Sequence, residues 1–149
     1  MIEIEKKYEL SEHDMQIIES TCTLIQESEI KDYYLDTDEY TLFKHQYFLR
    51  LRNGRYELKI IDPYDGYGVA RAQEIIDEDE INTHLKIFHI TIDDTAGKVY
   101  IETKRKNFQY EFEGQNFSID VDMYQYDKRY EIELTMEDDT GIDGEKLIE

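Results

Sequence analysis

Charged and apolar residues alternate along five short stretches of the chain, and the charges in each stretch stand two residues apart. Glu3 and Glu5 flank Ile4, Arg50 and Arg52 flank Leu51, and Glu57 and Lys59 flank Leu58. Asp120 and Asp122 flank Val121, and Glu131 and Glu133 flank Ile132. A period of two belongs to an extended strand, where residues i and i+2 share a face. Such neighbours lie roughly 7 Å apart, so like charges repel unless a counter-ion sits between them. One pair alone fits a solvated face of an antiparallel sheet. Acidic pairs on some strands and basic pairs on others point instead to a closed barrel with a polar interior. Such a site could hold a polyanion together with divalent cations.

The same patterning predicts the elements between these stretches. Residues 2–10 read as a strand. Ser11 is the N-cap of a helix to about Ser20, with acidic groups in its first turn and Met15, Ile17 and Ile18 on its buried side. Residues 23–36 form a long strand, and 38–45 a turn or short helix. Asn53-Gly54 marks a hairpin between strands 47–52 and 55–61, and residues 62–68 form a loop with the chain's only proline. A strand at 69–76 precedes a helix from Glu78 to Phe88, with Ile81, Leu85 and Phe88 on one side. Strands at 98–105, 108–113, 116–124 and 128–136 follow. Eight or nine antiparallel strands are enough to close a tunnel, and 149 residues suit a single domain over 1–149.

Composition narrows the function. The net charge of −19, from 36 Asp and Glu against 17 Lys and Arg, argues against duplex DNA as a partner, because that binding depends on basic surface. In so acidic a chain, Arg and Lys pairs are more economically placed inside a local pocket than on a surface patch. The solitary Cys22 cannot form an internal disulfide, which fits a reducing compartment. The first alternating strand starts at residue 2, leaving no room for a secretory leader, and no apolar run is long enough to span a bilayer. A cytoplasmic protein, off the membrane and monomeric or homodimeric, is expected. His13, His45, His84 and His89 share no zinc-ligand spacing, and no Walker-type phosphate loop is present.

At this point the alternating stretches resemble a known family. Glu3-x-Glu5-x-Lys7 is similar to the E-x-E-x-K signature of the CYTH family, the triphosphate tunnel metalloenzymes. Further matches follow in that family's order: Asp32-Tyr33-Tyr34-Leu35-Asp36-Thr37, Leu49-Arg50-Leu51-Arg52, Glu57-Leu58-Lys59, the basic Lys104-Arg105-Lys106, Ile119-Asp120-Val121-Asp122 and Tyr130-Glu131-Ile132-Glu133-Leu134. The ordered set is far more specific than any one motif. It implies a mainly β (α+β) fold, a closed eight-stranded antiparallel β-barrel tunnel with a few short peripheral helices. The family's activities include inorganic triphosphatase, thiamine triphosphatase, RNA 5′-triphosphatase and class IV adenylyl cyclase. The chain departs from the family after Leu134, where a lid helix with a basic residue is usual. Asp138, Asp139, Gly141 and Gly144 break that pattern, and Lys146 is the only candidate cation.

The resemblance also implies roles. Arg50 and Arg52 would fork onto phosphate oxygens, with Lys7, Lys59, Lys104 and Arg105 as further triphosphate-binding cations and Arg71 as an alternate. Glu3, Glu5, Asp120, Asp122, Glu131 and Glu133 would ligate Mg2+ or Mn2+, which prefer oxygen donors. Glu3, Glu5, Asp120 and Glu133 are the expected catalytic carboxylates, and Glu57 and Glu74 supporting ones. The expected reaction is metal-dependent hydrolysis of inorganic triphosphate, thiamine triphosphate or a nucleoside triphosphate. An adenylyl cyclase making cyclic AMP from ATP, or a non-catalytic binder of polyphosphate or nucleotide, are the alternatives.

Overall fold

The computed structural model describes residues 2–63, 69–124 and 127–137, with the side chains of residues 11–62 and 71–124. Eight strands dominate: β1 (Ile2–Leu10), β2 (Thr23–Asp36), β3 (Tyr47–Arg52), β4 (Arg55–Pro63), β5 (Val69–Ile75), β6 (Ala96–Phe112), β7 (Gln115–Tyr124) and β8 (Asp127–Glu137). The helices α1 (Glu12–Thr21), α2 (Thr41–Lys44) and α3 (Glu78–Leu85) are short. Hydrogen-bonded neighbours follow the order β1-β5-β4-β3-β2-β6-β7-β8, all antiparallel, and β8 also pairs with β1. The mainly antiparallel β class is the one the alternation predicts. Two tight hairpins set its register. Asn53 and Gly54 have φ of 47° and 83°, and Glu113 and Gly114 have 49° and 75°. Both pairs match the right-handed strand twist as type I′ turns do.

The apolar core lies on the outside of this curled sheet, under the helices. Leu49, Leu58 and Ile75 of β3, β4 and β5 pack with Ile81 and Leu85 of α3, and Leu42 of α2 joins them. On the other side Ile18 of α1 packs on Phe108, Ile119 and Val121, flanked by Met15 and Cys22. Burial raises the Cys22 thiol above its ordinary pKa. Each fully buried Leu or Ile contributes about 1.5–3 kcal/mol, so the helices hold the strands from outside. The alternate positions are thereby released for polar residues within.

Three local expectations change. β6 is one strand of 17 residues, where the sequence pattern reads two. Lys106 and Asn107 look like a break, yet pairing with β2 and β7 on both edges overrides their weak strand propensity. Ile17 is exposed, because one residue of helix rotates it away from the buried Ile18. α3 ends at Leu85 and continues as a 3-10 turn over Lys86–Phe88. No helix among the described residues is long and apolar enough to cross a membrane.

Candidate functional site

The inner face of β2 to β7 surrounds a cavity of about 910 Å3. Alternation builds its wall. Asp32 and Tyr34 of β2, Arg50 and Arg52 of β3, Glu57 and Lys59 of β4, Glu74 of β5, Arg105 of β6, and Asp120 and Asp122 of β7 all line it. Among the described residues, four cations and five carboxylates face this space.

These charges are paired across neighbouring strands. Arg52 donates a fork to Asp32, with Nε to Oδ1 and Nη2 to Oδ2 both at 2.8 Å. The register that sets Asp32 opposite Arg52 makes this geometry direct. Arg105 makes the same kind of fork to Asp122, at 2.7 and 2.8 Å, and its Nη1 lies 3.3 Å from Asp120. Arg50 differs: Nε and Nη2 converge on one oxygen, Oε2 of Glu57, at 2.8 and 2.7 Å. Glu74 Oε1 lies 3.7 Å from Arg50 and 3.9 Å from Lys59. Asn107 completes the β7 end by donating to Asp120 at 2.7 Å and to Ser118 at 2.8 Å.

Burial makes these pairs matter. Arg50 is 7% exposed and Asp32 3%, where an unpaired charge would cost several kcal/mol. Burial by itself pulls the Arg50 guanidinium down, but Tyr34, Glu57 and Glu74 beside it outweigh that and leave it raised. It stays charged throughout the neutral range.

Arg50, Arg52, Lys59 and Arg105 share the cavity with Asp120 and Asp122, as alternation predicts, and Glu57 and Glu74 join them. Lys104 does not. It stands one residue from Arg105, so strand geometry turns it to the exposed outer face. Arg71 alternates with Ala72 and Glu74 and likewise lies on the other face of β5. The side chains of Glu3, Glu5, Lys7, Glu131 and Glu133, and the segment after Glu137 with Lys146, lie outside the described residues. Backbone register sets position 133 opposite Asp120 and 131 opposite Asp122. Position 7 stands opposite 133, and position 3 opposite Ala72. Sequence reasoning gave no role to Asp32 or Asn107. Their signal is parity, since each stands an even number of residues from a cavity residue on its own strand.

The donor set can be tested against a divalent cation. Asp120 and Asp122 offer two carboxylates from one strand face, and Mg2+ is commonly bound by one or two carboxylates plus substrate oxygens. That chemistry fits Mg2+ or Mn2+. Among the described residues no group of three His, Cys, Asp or Glu could hold a metal unaided, so a cation held by Asp120 and Asp122 would need further oxygen ligands, such as substrate or water.

The CYTH domain model matches residues 1–147. No curated protein matches the sequence. Among solved structures, the chain is similar to a Hippeastrum protein, a candidate adenylyl cyclase that reveals a dominant triphosphatase activity. The TM-score is 0.65 at 18% identity, covering 95% of this chain and 83% of that one. A candidate adenylate cyclase from Bacillus halodurans is similar at TM-score 0.58 and 18% identity, over 98% and 84% of the two chains. A Pyrococcus horikoshii protein gives 0.62 and 19%, over 97% and 85%. At these identities the likeness is one of fold.

Proposed function

The chain belongs to the CYTH family, and from that premise we propose that it is a divalent-metal-dependent hydrolase of a triphosphate-bearing substrate. In this reading β1 and β8 complete a closed eight-stranded tunnel, and the substrate lies along it. The observation that carries the reading is the cavity wall itself, where four cations are each held beside carboxylates. Fixed guanidinium forks are the group best matched to phosphate oxygens. Arg50, Arg52, Lys59 and Arg105, with Lys7, bind the phosphates and orient the chain of anhydride bonds. Asp120 and Asp122, with Glu3, Glu5, Glu131 and Glu133, would hold Mg2+ or Mn2+, which neutralises charge developing on the phosphate oxygens. A carboxylate of the register pair Asp120 and Glu133 orients the attacking water. Because carboxylates outnumber cations among the described wall residues, a bare polyanion binds poorly, and metal and triphosphate enter together.

The dominant triphosphatase activity of the Hippeastrum relative supports hydrolysis. The test is incubation of the protein with tripolyphosphate, thiamine triphosphate, ATP and a 5′-triphosphate RNA, each with Mg2+ or Mn2+, followed by product identification. Orthophosphate release is expected. Pyrophosphate with a cyclic nucleotide would identify a cyclase instead, and tight binding without turnover would make the protein a binder.

A further inference from the structure

Two phenylalanine rings form part of the cavity wall. These are Phe43 of α2 and Phe48 of β3, with centroids 5.9 Å apart and planes inclined by 28°. Tyr40 extends the run, 6.0 Å from Phe43 at 27°, and Lys98 Nζ lies 5.5 Å from the Tyr40 ring centroid. None of the three rings belongs to the apolar core under α3. Phe43 and Phe48 are half-buried and Tyr40 is 47% exposed. Phe48 stands two residues from Arg50 on the same strand face, roughly 7 Å along the tunnel.

The segment that delivers Phe43 is held in place by a carboxylate with a special environment. Asp36 is fully buried. Its Oδ1 accepts from the backbone N–H groups of Thr37 at 2.7 Å and Leu42 at 3.0 Å, and its Oδ2 accepts from that of Phe43 at 2.9 Å. A helix of four residues cannot hold itself, and α2 is bounded by left-handed residues, Tyr40 at φ 57° and Gln46 at φ 62°. Asp36 supplies what the helix lacks and sets where the Phe43 ring stands.

We propose that Phe48, Phe43 and Tyr40 form a stacking wall for a planar ring carried by the substrate, with Asp36 as the residue that positions Phe43. The favoured substrate class is then an organic triphosphate bearing an aromatic base, in preference to inorganic tripolyphosphate. This rests on the triphosphate reading of the cavity. Aromatic rings stack on any flat base, and removing one such ring weakens binding by roughly five- to a hundredfold.

The experiment measures the affinities of ATP and tripolyphosphate, each with Mg2+, for the wild-type chain and its variants. Phe43→Ala should lower the ratio of ATP to tripolyphosphate affinity by about tenfold or more, and Phe43→Trp should restore it. Asp36→Asn should shift the ratio in the same direction as Phe43→Ala, a change that general destabilisation does not produce. An unchanged ratio in Phe43→Ala overturns the stacking wall, as does wild-type binding of tripolyphosphate without ATP. Binding of neither ligand overturns the triphosphate reading itself.

Discussion

Replacing Arg52 by Lys keeps the charge and removes the fork. Arg52 makes two parallel bonds to Asp32, each 2.8 Å, to two different oxygens. A lysine ammonium reaching this site from the same backbone position satisfies one oxygen and leaves the other desolvated. The Asp32 side chain is 5% exposed and that of Arg52 20%, so solvent screens the pair little. A charge-assisted bond of this kind is worth about 1.5–3 kcal/mol. For a chain of this size each kcal/mol shifts Tm by roughly 2–4 °C, which gives a fall of roughly 3–12 °C. Arg50→Lys should cost less, about 1 kcal/mol, because both of its nitrogens converge on one oxygen of Glu57 and one ammonium can keep that oxygen. Under the proposed function both variants should bind tripolyphosphate roughly ten- to a hundredfold more weakly, since the proposed phosphate recognition uses the fork in either case. Thermal melts without ligand and calorimetric titration with Mg2+ and tripolyphosphate measure the two effects separately. Arg55, exposed beside the Asn53-Gly54 turn, is the control and should tolerate Lys. Equal losses at Arg55, or none at Arg52, would refute the reasoning.

Two further outcomes are expected. Glu3→Gln, Glu5→Gln and Glu133→Gln each remove a proposed metal ligand at nearly constant size, so activity should fall by orders of magnitude and recover only partly at raised Mn2+; a metal titration unchanged in all three would exclude the ligand assignment. Hydrogen bonds from the Ser11 backbone and hydroxyl hold the Asp14 carboxyl below the usual carboxylate range. A depressed folded pKa contributes stability above the unfolded value, near 3.9, that is lost as pH falls through the folded one. Asp14→Asn should therefore be less stable than wild type at neutral pH, with the gap closing below about pH 4. A gap constant from pH 7 to pH 3 would mean that the carboxylate charge does nothing at this cap.

Much of the wall was legible because strand alternation is local. Leu49-Arg50-Leu51-Arg52 states without any partner that the arginines share one face, and the Asn53-Gly54 turn states that β4 returns beside β3. The same rule separates Lys104 from Arg105, although reading the basic run as a cluster obscures it. Asn107 was harder to see. It breaks the apolar pattern of β6, and only pairing on both edges keeps the strand continuous and brings its amide to Asp120.

The sequence by itself determined the periodicity, the turns and which residues alternate together, since each depends on bonds and sterics within a few residues. The charge pairs pointed to a polar interior, but the sequence could not determine what covers the apolar face outside. That was decided by α1 and α3, which cover the apolar positions from outside and leave the charged ones to the cavity. Nor could it pair the charges: Asp32 meets Arg52 across twenty residues of sequence, and Arg105 meets Asp122 across seventeen. Likewise, Asp36 becomes a clamp on Phe43 only once the chain has turned through α2. The physical reason is common to all three. A charge buried by folding must find its partner in space, and strand register, which is a property of two segments together, sets which partner that is.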